Sequence, residues 1–296
     1  MTEETIEAVD TARVSSWRLL AGNPVTVVSA VLLLAVLIIA VGAKWIAPQG
    51  VNDVDVPSAL RGPSGAHWFG TDELGRDVFS RVLVAVQASM QVALVSVAFA
   101  VVVGVTIGVV AGYRGGWVDT VFMRVVDVMF AFPVLLLALA IVAILGPGVT
   151  TTMLAIGVVY TPIFARVARA STLGVRVEPF VAVSRTMGTG HAYILFRHVL
   201  PNIAGPLIVQ TSLSLAFAIL SEAALSFLGL GIQPPEPSLG RMIFDSQGFV
   251  TLAWWMAVFP GAAIFVIVLA FNLFGDGMRD VLDPKQRTVA ESRRTR

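Results

Sequence analysis

The sequence has no cysteine, and only three histidines and three tyrosines among its 296 residues. No disulfide framework and no thiolate metal site is open to it. Charged residues are scarce as well, at 13% against about a quarter in a soluble domain. The net charge of +1 excludes the broad basic field of a nonspecific nucleic-acid binder, so nucleic acid is not an expected partner. No GxxxxGK[ST] phosphate loop occurs, and glycine-rich pieces such as GYRGG (Gly112–Gly116) are read as turns. The apolar stretches carry no clustered His/Asp/Glu set and no Ser/His pair, which leaves an integral membrane enzyme without its chemistry. There is no inverted internal repeat. We expect no catalytic, cofactor-binding or metal-ligating residue in this chain.

What is present is apolar length. Hydrophobic residues make up 56% of the chain and the mean hydropathy is +0.84. A helix needs about 20 apolar residues to cross a bilayer core. Six runs qualify: Val25–Ala43, Met90–Ala111, Val128–Leu145, Met153–Ala165, Ile203–Leu220 and Leu252–Phe274. The fourth is short and contains Pro162, which predicts a kinked or extended span. The runs are continuous rather than alternating, so the expectation is an all-α integral membrane protein with six transmembrane helices, not a barrel. The first run comes after a polar segment and is longer than a signal-peptide core, so it is read as a retained span.

The basic residues set the orientation. With the N-terminus inside, only Lys44, Arg61, Arg76, Arg81 and Arg241 of the 20 Lys and Arg fall outside. That asymmetry predicts N-in, C-in. The organisation expected is a cytoplasmic tail over 1–24 with Trp17 near the interface, a first helix over 25–46 and an extracytoplasmic segment over 47–89. Next come a core of five helices over 90–275 and a cytoplasmic tail over 276–296, its last dozen residues disordered. In the outer segment Asp77 and Arg81 stand at i,i+4, predicting a paired, flat interfacial helix before the second span. Asp72, Glu73 and Asp77 are read as solvated or paired charges rather than a metal cluster. Asp119, Arg124 and Asp127 open the third span at headgroup level. A Gly- and Pro-rich outer loop is expected over Ser226–Val250.

One polar stretch interrupts the apolar pattern: FVAVSRTMGTGHAYILFRHVLPN, Phe180–Asn202. Pro179 suits a first helical position, and Phe180, Val183 and Met187 form one apolar stripe. Gly188 can stop that helix in a left-handed conformation, and Gly190 loosens the chain beyond it. His191–Leu200 can form a second short helix ended by Pro201. From the residues alone, the pair is either an amphipathic loop resting on headgroups or a docking element for a cytosolic partner. His191 and His198 are read as part of a polar face rather than as metal ligands. Glu222, near the outer end of the fifth span, is either a hydrogen-bonded helix end or a gate.

The stretch also resembles the EAA loop of ABC-importer permeases, in which Glu-Ala-Ala is followed by three residues, Gly and later Leu-Pro. Here the residues are Ala182-Val183-Ser184, then Gly188, then Leu200-Pro201. FGTDELGRDVFSR (Phe69–Arg81), SEAALSFLGLGIQPPEPSLGRMI (Ser221–Ile243) and NLFGDGMRDVLDP (Asn272–Pro284) resemble stretches of the C-type subunit of the peptide branch, which includes dipeptide, oligopeptide and nickel importers. The resemblance runs from about Trp17 to Pro284. The departure is Ala182, where the family usually has glutamate.

The resemblance implies a bacterial inner-membrane permease that forms its pathway with a homologous second permease as a heterodimer. It further implies two ATP-binding subunits that carry ATP and Mg, an extracytoplasmic substrate-binding protein, and surrounding lipid. ATPase docking would fall to Phe180, Ala182, Val183, Arg185, Met187, Gly188, His191, Arg197 and Pro201. Contacts with the partner permease or binding protein would fall to Asp72, Glu73, Arg76, Asp77 and Arg81. Pathway candidates are Gln210, Thr211, Ser214 and Glu222. The expected cargo is a dipeptide or oligopeptide, with nickel, glutathione or another small solute as the alternative. An ion-coupled carrier is disfavoured because no span centre carries a charge.

Overall fold

The computed structural model describes residues 24–282. The N-terminal tail with Trp17 and the last dozen residues lie outside the described residues. In chain order the helices are α1 (Pro24–Ile46), α2 (Val78–Arg114), α3 (Gly116–Phe130), α4 (Val134–Leu145), α5 (Val149–Arg176) and α6 (Pro179–Thr186). Then come α7 (His191–Ile194), a wide turn over Leu195–Val199, α8 (Leu200–Phe227), α9 (Leu239–Asp245) and α10 (Trp255–Leu282). Among the described residues the chain is all helical, apart from one isolated antiparallel bridge between Thr71 and Asp77. Five helices are long and apolar enough to span a membrane, counting α7 to α8 as one. The pair α3–α4 passes the same test together but is bent by 90°.

The centre of the bundle is the seam between α2 and α5, which have the most extensive contact of any two helices. Small residues create it. A Cβ on Gly104 would lie 2.5 Å from the Thr161 carbonyl oxygen and 2.7 Å from the Phe164 Cβ. One on Gly108 would collide with the Ala165 carbonyl oxygen, and one on Gly112 would lie 2.9 Å from that of Arg169. Glycine every fourth residue lets two backbones meet, which is how helices associate where lipid removes the hydrophobic drive between them. Helix α1 lies outside this seam against α2 and α10. It buries Ser29, Val36, Ala40 and Ala43 and exposes Val31, Leu34, Ile38 and Val41, a lipid-facing stripe.

The structure departs from the sequence reading in three places. The predicted flat helix is absent as a separate element. Helix α2 starts at Val78 rather than Met90 and runs unbroken for 37 residues, with Val78 and Ser80–Val86 all buried. Those residues are too enclosed to rest on a membrane surface. The third predicted span, Val128–Leu145, is broken at 131–133, because Pro133 has no N–H for a continuing helix and biases the residue before it away from helical geometry. The fourth span is extended, as its short apolar run with Pro162 predicts, to 28 residues passing through that proline. The outer loop over 226–250 contains α9, capped by the Ser238 hydroxyl, which accepts from the Arg241 N–H at 3.2 Å and seats the helix against α8 and α10.

Candidate functional site

The hairpin over Val177–Val199 is fixed by local chemistry first. Pro179 opens α6 in the first turn. At its end the Gly188 N–H donates to the Arg185 carbonyl and the Thr189 N–H to the Ser184 carbonyl, both at 3.0 Å. This pair of bonds needs a left-handed residue at Gly188, whose φ is +77°. The predicted stop is therefore present.

The predicted end at Pro201 is not. Helix α7 runs on into α8 through the wide turn over Leu195–Val199, where the Leu200 N–H reaches back to the Leu195 carbonyl. A five-residue turn makes room for the Pro201 ring, which would otherwise press on the carbonyl one turn earlier.

The hairpin has an inner and an outer face. Val181, Ile194 and Val199 are fully buried and pack with Val109, Tyr113, Ala168 and Ile203 from the ends of α2, α5 and α8. Facing out are Phe180, Val183 and Met187, exposed by 39%, 55% and 78%, together with Tyr193 and Phe196. So the predicted stripe is an uncovered apolar surface rigidly joined to two long helices. Ala182 and Arg197 are exposed as well.

Two exposed members of the predicted docking set also contact Tyr113. The Arg185 guanidinium lies 4.7 Å from the centre of the Tyr113 ring, and His191 Nδ1 is 3.1 Å from the Tyr113 hydroxyl. Both belong to the wall of a cavity of about 610 Å³ beneath the end of α2, which Arg114 and Arg176 also line. His198 instead sits beside the rings of Phe180 and Tyr193, so the two histidines have separate surroundings.

At the opposite end of the bundle the predicted contact charges form an internal network. Asp77 is the N-cap of α2, accepting from the Ser80 N–H at 2.8 Å and the Ser80 hydroxyl at 2.7 Å. Its other oxygen is 3.0 Å from His67 Nδ1. The expected Asp77–Arg81 pair is not made. A capping carboxylate turns back to its own helix end, and Arg81 reaches instead to Asp72 at 3.6 Å and the Val51 carbonyl at 2.9 Å. Arg76 bridges Asp72 at 2.7 Å and Glu73 at 3.2 Å. Asp72, Asp77 and Arg81 are buried, which ties segment 47–77 into the fold. Burial pushes the Glu73 carboxyl above its ordinary value, its own backbone bond lowers it, the Asp72 charge adds to the rise, and Arg76 opposes it.

Of the pathway candidates, Ser214 and Glu222 are fully buried. Ser214 accepts from Gln210 Nε2 at 3.1 Å, and Thr211 donates to the Leu207 carbonyl at 2.7 Å. Glu222 accepts from the Ser89 hydroxyl of α2 at 2.6 Å and from Ser226 at 2.7 Å. It is a hydrogen-bonded tie between helices. Sequence reasoning also missed the bidentate pair of Arg169 with Asp119, with Nη2 to Oδ2 at 2.6 Å, which fastens α3 to α5. The signal available was that charges inside apolar runs need partners.

Apolar spans, a hairpin with an uncovered stripe and a folded segment at the opposite end together define a multi-pass membrane protein. The fold matches a chain of the structure described as inward-facing conformations of the MetNI methionine ABC transporter. That match has a TM-score of 0.57 at 18% identity, covering 69% of this chain and 96% of the other.

The chain belongs to the family described as binding-protein-dependent transport system inner membrane component, whose pattern matches residues 104–288. Residues 13–63 match the N-terminal TM domain of oligopeptide transport permease C. Among its relatives, the dipeptide transport system permease protein DppC of Alkalihalophilus pseudofirmus is 42% identical, covering 93% of this chain and 92% of that protein. The probable D,D-dipeptide transport system permease protein DdpC of Escherichia coli is 44% identical over 90% of each chain. The glutathione transport system permease protein GsiD of Escherichia coli is 43% identical, covering 91% of this chain and 89% of that protein.

Proposed function

We propose that this chain is the permease subunit of an ATP-driven importer for dipeptides or oligopeptides, working through the hairpin as its mechanical input. Two separate ATP-binding subunits supply ATP, Mg and hydrolysis, a homologous permease completes the pathway, and a substrate-binding protein delivers the solute from outside. The supporting observation is the hairpin itself: three exposed apolar residues on one side, a buried seat on the other, and a long helix leaving each end. A push on such a body is transmitted to α5 and α8 rather than absorbed in the loop.

The orientation that fits is hairpin inside. The Arg residues at 114, 124, 166, 169, 176, 185, 197 and 279 lie in or near the hairpin end of the sequence pattern, as inward-facing basic residues do. Docking then rests on Phe180, Val183 and Met187 with Ala182 and Arg197 at the rim. Without a carboxylate at 182, shape takes the place of a charge contact. Gln210 and Thr211, half-buried on α8, are the remaining pathway candidates. Glutathione is the second cargo reading, favoured by the 43% identity to the glutathione permease. The ligand recovered from the cleft of the co-purified binding protein separates the two.

The test of the coupling role is Gly188→Val. An added Cβ there meets nothing within 4 Å, so the substitution strains only the left-handed backbone, by about 1–2 kcal/mol. The assembled complex should form in normal yield while dipeptide uptake into proteoliposomes falls at least severalfold and ATP hydrolysis continues. Unchanged uptake in an assembled complex would count against the hairpin as the input.

A further inference from the structure

We propose that the cavity between the end of α2 and the hairpin is an anion site that takes the phosphate of a phospholipid headgroup. It is independent of the imported solute and rests on the reading above only for the hairpin's orientation.

Three arginines line this open cavity of about 610 Å³: Arg114 from the end of α2, Arg176 from the end of α5 and Arg185 from α6. Among the described residues none of the three has a carboxylate within 4.0 Å, a property they share with Arg61, Arg124, Arg197 and Arg279 but not with Arg76, Arg81, Arg166, Arg169 and Arg241. The negative end of the α2 dipole accounts for part of the cluster, since Arg176 Nη1 donates to the Gly112 carbonyl at 3.3 Å. Arg114 and Arg185 are exposed and free to take an anion.

Two of the three, Arg176 and Arg185, are also held in place. Arg185 is stacked on Tyr113, and the Tyr113 hydroxyl is bonded to His191, so ring, hydroxyl and guanidinium form one wall. A planar guanidinium fork matches two phosphate oxygens, which a lone ammonium does not. Leu195 supplies an apolar wall beside the donors. Charged donors with an apolar flank at the headgroup level of an anionic leaflet suit a lipid phosphate better than a fully solvated ion. Because the three arginines come from three elements, an occupant would bridge the hairpin to α2 and α5 and bias where the hairpin rests.

The test uses the full chain in nanodiscs of phosphatidylcholine with a minority of phosphatidylglycerol. Native mass spectrometry counts the lipid retained, and circular dichroism checks the fold. Wild type should retain phosphatidylglycerol selectively. The double variant Arg176→Gln/Arg185→Gln should lose about thirtyfold in that preference, the weight of two arginines at a membrane surface. Arg176→Lys/Arg185→Lys, which keeps charge without the fork, should fall between. Arg124→Gln, which does not line the cavity, should match wild type. If millimolar inorganic phosphate raises the melting temperature of lipid-free wild type but not of the Gln variant, the site's chemistry stands and the free ion is its source. Equal lipid retention by folded wild type and Gln variant, with no phosphate effect on either, overturns the proposal. Uptake measured separately on the same variants tells its failure apart from failure of the importer reading.

Discussion

The seam between α2 and α5 gives the sharpest prediction. Consider Gly108→Val. The first carbon added at Gly108 would press on the Ala165 carbonyl oxygen and lie 2.8 Å from the Ala168 Cβ. Carbon atoms rest about 3.5–4.0 Å apart, so the helices must separate by about 1 Å. A gap of that size forfeits a quarter to a half of each atom pair's attraction, itself ~0.1–0.2 kcal/mol. Over about thirty atom pairs along the stripe the loss is about 1–3 kcal/mol. The two further methyl groups of valine add overpacking of about 1 kcal/mol. A total near 2–4 kcal/mol corresponds to a fall of about 4–16 °C for a chain of this size.

Gly261→Ala is the control, since a Cβ there meets nothing within 4 Å inside α10. It should be neutral or more stable by about 0.5–1 kcal/mol, the ordinary gain of alanine over glycine in a helix. Tryptophan fluorescence of purified protein during heating measures both. A Gly108→Val melting temperature within a degree of wild type would refute the reasoning.

The other predictions concern buried polar ties. Glu222→Ala strands the Ser89 and Ser226 hydroxyls and should cost about 2–4 kcal/mol in the same melt, while Glu222→Gln, which still accepts one bond and fills the space, should cost less than half of that. Asp119→Ala and Arg169→Ala should be non-additive by about 1 kcal/mol in a double-mutant cycle, because each removes the same α3–α5 pair. Glu73 gives a pH signature. Its folded carboxyl binds its proton more tightly than the unfolded one, so its contribution to stability is greatest below the unfolded pKa and is lost as pH rises through the higher folded value. Glu73→Gln should remove that slope, seen by comparing melts at mildly acidic and neutral pH.

The membrane class was legible because it depends on run length, which composition states directly. The left-handed stop at Gly188 was legible for the same reason that it is testable: only local backbone chemistry decides it. What could not be read were features that depend on a distant residue. Asp77 and Arg81 satisfy the i,i+4 spacing, yet Asp77 is drawn to its own helix end and Arg81 to Asp72 and Val51. Gly104 and Gly108 stood in plain sight in the second apolar run and Gly112 just beyond it, but their meaning lies in which helix they face. The break at Pro133 was signalled by the proline itself and was overlooked because the run around it is uniformly apolar. The resemblance placed Arg185 and His191 in the docking set, and their contact with Tyr113, 72 residues before Arg185, could not be read from the local sequence.

These particulars bear on how force would travel. The glycine stripe fixes α5 to α2 over several turns, and α5 ends at Arg176, just before Pro179 opens the hairpin. On the other side the wide turn at Leu195–Val199 passes Pro201 without a break, so α8 is continuous with the hairpin too. At the far end Glu222 of α8 is bonded back to Ser89 of α2. Helices α2, α5 and α8 therefore form a triangle closed at one end by backbone contact and at the other by a buried carboxylate, with the hairpin across its base. A body closed in this way moves as a whole or not at all. Disturbing the corner at Glu222 should then alter the hairpin's response without touching it: in assembled complexes Glu222→Ala should lower uptake per ATP hydrolysed, where Glu222→Gln does not. If both variants keep wild-type coupling, the triangle is not a single body and the hairpin acts on α5 alone.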